Sequence, residues 1–144
     1  MRSMGLDVGD KRIGVAVSDP LGILASPNTI IERKGDSEDV AAITKIAVQY
    51  AVKQIIIGLP ISLDGSIGEQ AEKVHAFANH LVSHIDIPIE FRDERMTTVS
   101  AQRLMREGRN NKGKNPKADD AAAAAVLLQA YLDETAGDIP NPNY

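Results

Sequence analysis

The chain has no cysteine and no tryptophan, and its aromatic residues make up 3% of the total. Without cysteine there is no disulfide, no thiolate zinc site and no thiol nucleophile, a composition that fits the cytoplasm. So few rings leave no stacking platform of the kind that single-strand binders use. No stretch approaches the ~18 consecutive apolar residues of a membrane span, and Met1 and Arg2 lead directly into a strand-like segment with no signal-peptide apolar core. The expectation is a protein that stays soluble where it is made, with no membrane partner. An overall basic excess is also lacking: the net charge is −4, which by itself weighs against a nucleic-acid partner.

The charge is segregated, however. Arg103, Arg106, Arg109, Lys112, Lys114 and Lys117 stand against the single acid Glu107, a local charge of +5 that leaves −9 for the rest of the chain. Such a run is either a solvated basic loop or a footprint for phosphates. At 144 residues, 43% of them hydrophobic, the chain can bury one sizeable core. One domain is expected over residues 1–136, followed by a disordered tail over 137–144 that carries two prolines and little apolar content.

Residues 3–8 and 13–18 read as strands joined by a Gly-Asp-Lys-Arg turn, and 28–33 as a third strand after a connection marked by proline and glycine. These make an antiparallel meander. Helical spacing of Val40, Ile43, Ile46, Ala47 and Tyr50 predicts a helix over 37–52, with Ser37 as N-cap. The apolar run from Gln54 to Gly58 predicts a central strand covered on both faces. Ser66 and Glu69 form a capping-box pattern before a helix marked by Ala71, Val74, Phe77, Ala78 and Leu81 that runs to about residue 84. A fifth strand over 88–91 and helices over 97–107 and 117–134 complete the order βββαβαβαα, whose later strands, connected through helices, run parallel.

Three acids stand out. Asp7 lies within a strand, where alternation turns it and Gly5 away from Met4, Leu6 and Val8; an unpaired carboxylate buried there costs several kcal/mol or more. Glu94 follows the fifth strand, at the end where open α/β sheets bind ligands. Asp120 falls on the stripe of Ala124, Leu127 and Tyr131, so it points inward, whereas Asp119 lies toward Gln129 and Asp133. Each has an ordinary reading: a turn-capping carboxylate, a salt-bridged strand end, an acid favoured by the helix dipole. Together they would repel one another unless a divalent cation sits among them. Mg²⁺ or Mn²⁺, one or two ions, suits an all-oxygen set that keeps room for water and phosphate oxygens, and such a site does phosphoryl chemistry. The residues from Ala121 to Ala125 form a small-residue surface that lets the last helix approach a sheet closely. His75, His80 and His84 lack zinc-ligand spacing and read as surface residues. Gly58-Leu59-Pro60 reads as a strand-ending turn, and Gly65 and Gly68 lead into a capped helix N-terminus that is either structural or a place for a phosphate.

Four segments carry a family resemblance: GLDVGDKRIGVAVSD from Gly5, GLPISLDGSIG from Gly58, DERMTT from Asp93 and DDAAAAAVLLQAYLD from Asp119. In this order and spacing they resemble the YqgF (RuvX) family over residues 3–133. The resemblance implies an α/β, RNase H-like fold related to Holliday junction resolvases, with a five-stranded mixed sheet of order 3-2-1-4-5 and helices on both faces. It implies a metal-dependent cytoplasmic nuclease that processes the 5′ end of pre-16S rRNA, with Asp7, Glu94 and Asp120 as metal-binding catalytic acids. Arg12, Arg95 and the basic stretch from Arg103 to Lys117 would hold the nucleic-acid backbone. Junction resolvases of this fold carry a fourth acid one helical turn before the last aspartate, where this chain has Lys117. The metal number and the choice between an RNA precursor and branched DNA are therefore open, as is monomer against homodimer. Two other classes compete: an actin-like or sugar-kinase ATPase, whose phosphate loop the Asp7 segment also resembles but which needs two such domains, and a non-catalytic nucleic-acid-binding assembly factor.

Overall fold

The computed structural model describes residues 1–60, 68–93 and 116–136, with side chains in the last of these from 121 to 135. Strands β1 (Ser3–Val8), β2 (Arg12–Ser18), β3 (Ala25–Glu32), β4 (Gln54–Leu59) and β5 (Ile89–Asp93) form one sheet in the order β3-β2-β1-β4-β5. β1 pairs antiparallel with β2, and β2 with β3, while β4 runs parallel to both β1 and β5. Three helices accompany it among the described residues: α1 (Asp36–Gln49), α2 (Glu69–His84) and α3 (Pro116–Ala136).

Strand alternation divides the core into two layers. Met4, Leu6, Val8, Ile13, Val15, Ile55 and Ile57 face α1 and α2, where Val40, Ile43, Val74, Phe77 and Leu81 meet them. Ala16 and Ile56 face the other way, onto Ala124, Leu127, Leu128 and Tyr131 of α3. β4 is therefore covered on both sides, as its unbroken apolar run predicts. Each fully buried Leu or Ile contributes about 1.5–3 kcal/mol relative to exposure.

The α3 side of the sheet is built small. By alternation it carries Gly5, Gly14, Ala16 and Gly58, and a Cβ added to Gly5 would lie 2.9 Å from both the Ala124 carbonyl oxygen and the Leu128 Cβ. The alanine-rich helix thus meets glycine, and backbone approaches backbone. α3 runs against the direction of β1. Its Tyr131 hydroxyl lies 2.6 Å from Gln54 Nε2 at the start of β4, while Ala124 and Leu128 lie over Gly5, further along the sheet.

Element ends differ from the sequence expectation for identifiable reasons. α1 is capped by Gly35, in extended backbone, and Ser37 lies inside the helix; no side chain caps it, and the acids Asp36, Glu38 and Asp39 favour the helix dipole instead. It stops at Gln49, before residue 52. Ala51 takes φ 52°, its N–H donates to Val48 O (3.2 Å) and that of Val52 to Ala47 O (2.9 Å), the Schellman arrangement usually built on glycine. Arg2, from outside the helix, donates to Tyr50 O at 3.1 Å. β3 starts at Ala25 and contains Pro27, which an edge strand tolerates; the register slips there, Val15 facing Thr29 and Ala16 facing Pro27. α2 begins at Glu69 with Gly68 as N-cap, so Glu69 is not the third residue of a capping box; Ser66 lies outside the described residues. β5 runs on to Asp93. The helix expected over 97–107 and the tail over 137–144 also lie outside the described residues.

Candidate active site

Because β1, β4 and β5 run the same way, their carboxyl ends at Val8, Leu59 and Asp93 lie along one sheet edge, where open α/β sheets receive ligands. Asp7 stands there, half-buried, on the face shared with Gly5 and α3. Its partner across β2 is Gly14. On the other side, one register step beyond the Leu6–Ile57 pair brings Gly58 beside it, and Gly58 pairs in turn with Arg92 of β5. Asp7 is therefore flanked by two residues without side chains, which leaves room around a carboxylate in the middle of a sheet. A cavity of about 160 Å³ opens at this point, lined by Asp7, Gly9, Lys11 and Arg12.

The turn after β1 shapes that cavity. Gly9 N–H donates to Arg12 O at 2.8 Å, and a Cβ on Gly9 would sit 2.9 Å from the same oxygen, so the turn requires glycine. It presents two cations beside Asp7. Arg12 Nε lies 3.3 Å from Glu32 Oε1, an exposed pair of little energetic weight that leaves the guanidinium near the cleft. Lys11 was not among the residues expected to contact phosphate. Its place in a D-K-R turn is the only signal the sequence offers for it.

On β5, Ile89 and Phe91 pack with the α1/α2 core, so Glu90 and Arg92 take the α3 face. Arg92 pairs with Glu134 and lies 5.7 Å from the Tyr131 ring centroid, while its buried Nε has no hydrogen-bond partner among the described residues. Burial foremost raises the Tyr131 phenol above its usual value.

Glu94 directly follows β5 and lies outside the described residues, as do Arg95, Arg103, Arg106, Arg109, Lys112 and Lys114. Lys117 and Asp120 are in the first turns of α3, where the backbone alone is described. The structure thus brings Asp7 and Arg12 together at one cleft.

The histidines lie elsewhere. All three are on α2, on the opposite side of the sheet from Asp7: the His75 ring is 4.5 Å from that of Phe91, His80 Nε2 is 3.4 Å from Asp36 Oδ2, and His84 Nδ1 is 2.8 Å from His80 O. Among the described residues no group of three His, Cys, Asp or Glu side chains converges to hold a metal ion. Among the described residues the cleft offers the Asp7 carboxylate together with Lys11 and Arg12 and no histidine or cysteine, a chemistry that fits a hard cation and phosphate oxygens.

A mixed sheet of order 3-2-1-4-5, antiparallel over its first three strands, with helices on both faces, defines an RNase H-like fold, here with an aspartate on the central strand. Among solved structures, Thermus thermophilus RuvC in complex with a Holliday junction substrate shares this fold, with a TM-score of 0.64 at 16% identity over 95% of this chain and 96% of that one. The family model described as "RuvX: Holliday junction resolvase" matches residues 1–134, and the chain belongs to this family. A relative from Clostridium novyi (strain NT), named "Putative pre-16S rRNA nuclease", is 50% identical over 133 residues, 92% of this chain and 98% of the relative. One from Moorella thermoacetica with the same name is 46% identical over 133 residues, 92% of this chain and 95% of the relative.

Proposed function

We propose that this chain is a nuclease dependent on Mg²⁺ or Mn²⁺ that hydrolyses phosphodiester bonds at the 5′ end of a precursor of 16S rRNA in the cytoplasm. The observation that carries the reading is Asp7, set between Gly14 and Gly58 at the carboxyl edge of the sheet with Lys11 and Arg12 lining the same cleft. The names of the relatives support the RNA substrate and the ribosome-maturation setting.

Two features support Glu94 and Asp120 as partners of Asp7. Glu94 lies two residues beyond Arg92, which belongs to the α3 face, and Arg92 is level with Asp7 two strands away. The Asp7 and Arg92 backbones are ~9.6 Å apart at the usual strand spacing, which puts the end of β5 on the same sheet edge as Asp7. Asp120 is one helical turn before Ala124, which lies over Gly5. The ~6 Å rise of that turn matches the ~6.6 Å advance from Gly5 to Asp7 along β1.

In this reading Asp7, Glu94 and Asp120 would hold the cation, and Lys11 and Arg12 would neutralise phosphate oxygens flanking the scissile bond. The bound cation would activate water and stabilise the leaving oxygen of an in-line displacement. Arg95 and the cluster of Arg103, Arg106, Arg109, Lys112, Lys114 and Lys117 would follow the nucleic-acid backbone, consistent with their concentrated positive charge.

The test compares wild type with Asp7→Asn and Asp120→Asn on rRNA precursor, single-stranded RNA and four-way junction DNA, with Mg²⁺ or Mn²⁺. Precursor cleavage is expected in the wild type and to fall by about 10³-fold in both variants, the order found when one charge-stabilising group is removed from an active site, with binding kept. Cleavage confined to the junction would favour the activity in the family's name. Binding with no cleavage of any substrate would favour an assembly factor.

A further inference from the structure

We infer that Arg33 is a positioning residue that holds the Gly9–Arg12 turn, and with it Lys11 and Arg12, in register with Asp7; this rests on the function proposed above. Arg33 follows β3, and its guanidinium lies against α1 and α2. Each of its guanidinium nitrogens makes one hydrogen bond: Nε donates to Asp39 Oδ2 (3.1 Å), Nη2 to Asp36 Oδ1 (3.0 Å) and Nη1 to the Gly9 carbonyl (3.1 Å). Its backbone N–H donates to Lys11 O at 2.9 Å. One residue thus takes two carbonyls of the same short turn, one through its side chain and one through its main chain.

The anchor behind Arg33 is built to stay in place. Asp39 is 1% exposed; its second oxygen accepts the Lys34 N–H at 3.1 Å, and its own N–H donates to Gly35 O at 2.8 Å in the first turn of α1. The guanidinium carbon of Arg33 lies 5.0 Å from the Phe77 ring centroid, which fixes its plane from the α2 side. A buried ion pair of this kind adds little net stability compared with two apolar side chains of similar size. Stability alone therefore does not account for it, whereas its reach to Gly9, two residues from Asp7, does. A lysine at position 33 would preserve the charge next to Asp39 but not the flat fork that meets three acceptors at fixed angles.

Three variants separate positioning from folding: Arg33→Lys, Arg33→Met and the double change Arg33→Met with Asp39→Leu. Each is measured for melting temperature, for hydrogen exchange at the Gly9 amide, and for kcat and KM on the substrate that the wild type cleaves. Arg33→Met leaves Asp39 buried without its cation and melts earlier; the double variant, with both charges gone, regains most of the loss. In Arg33→Lys and in the double variant, exchange at Gly9 is expected to quicken about tenfold and KM to rise about tenfold with kcat changed less, as when a contact to a charged group is weakened. A purely structural role would instead return Gly9 exchange and KM to wild-type values together with the melting temperature. That result in either of these two variants overturns the assignment. Asp7→Asn is expected to lose cleavage with Gly9 exchange unchanged. If the wild type cleaves nothing, the proposed function fails, while Gly9 exchange and nucleic-acid affinity in the Arg33 variants still decide whether the turn is held this way.

Discussion

Replacing Gly5 by alanine tests how closely α3 must lie on the sheet for the site to assemble. The new methyl carbon would lie 2.9 Å from the Ala124 carbonyl oxygen and 2.9 Å from the Leu128 Cβ. Non-bonded carbon contacts are best at ~3.5–4.0 Å, so relief requires a displacement of ~0.6–1.1 Å. Neither obstacle is the end of a flexible side chain, since one is backbone and the other is attached directly to it. The helix must therefore move as a body. Overpacking of this kind costs about 1–3 kcal/mol, which for a chain of this size lowers the melting temperature by roughly 3–10 °C. A shift of about 1 Å at the start of α3, where Asp120 resides, is expected to reduce the cleavage rate by about 10²-fold. Thermal unfolding followed by circular dichroism and a metal-dependent cleavage assay on the same preparation measure both effects. An unaltered melting temperature would refute the close approach of α3, and a lowered one with an unaltered rate would refute the part assigned to its first turn in catalysis.

Ala51 holds a left-handed conformation that glycine adopts without penalty, so Ala51→Gly is expected to stabilise the fold by about 0.5–1 kcal/mol. Equilibrium denaturation checks this, and a loss of stability would contradict it. Asp19 accepts the backbone N–H groups of Leu24 (2.8 Å), Ile23 (2.7 Å) and Leu21 (3.3 Å), and these bonds, that from Leu24 foremost, hold its carboxyl below the ordinary value. Its folded pKa is lower than its unfolded one, so the stabilisation is complete above the ordinary carboxylate range and fades as pH falls through the lowered value. Asp19→Ala is expected to lower the melting temperature at neutral pH, and the gap from wild type to close on acidification; a gap independent of pH would show that the charge is not involved.

The sheet was legible because its signals are local. Alternation in β1 separated Asp7 from Leu6 and Val8, and the apolar run of β4 could only be covered twice. The ends of α1 were not legible, because they are made by backbone: Gly35 caps without a side chain, and Ala51 occupies a position for which glycine is the usual marker. Pro27 read as a connection because proline is excluded from central strands, and its tolerance on β3 follows only once that strand is known to be an edge. At the site, Asp7 was visible as an acid out of place in a strand. The glycines on either side of it, Gly14 and Gly58, lie in other strands and become its neighbours only through the pairing register. The bond from Arg33 to Gly9 joins positions 24 residues apart and has no periodic signature at all.

The unequal covering of the two sheet faces bears on how the chain emerges from a ribosome. Once residue 93 is out, all five strands and both helices of one layer are available to collapse together. The opposite layer, with Ile56 and Ala16 at its middle, still lacks α3, whose Ala124, Leu127, Leu128, Tyr131 and Leu132 are among the residues that cover it. A nascent protein arrested in that interval would carry a greasy, half-dressed surface with Asp7 at its rim, exposed to chaperones and proteases.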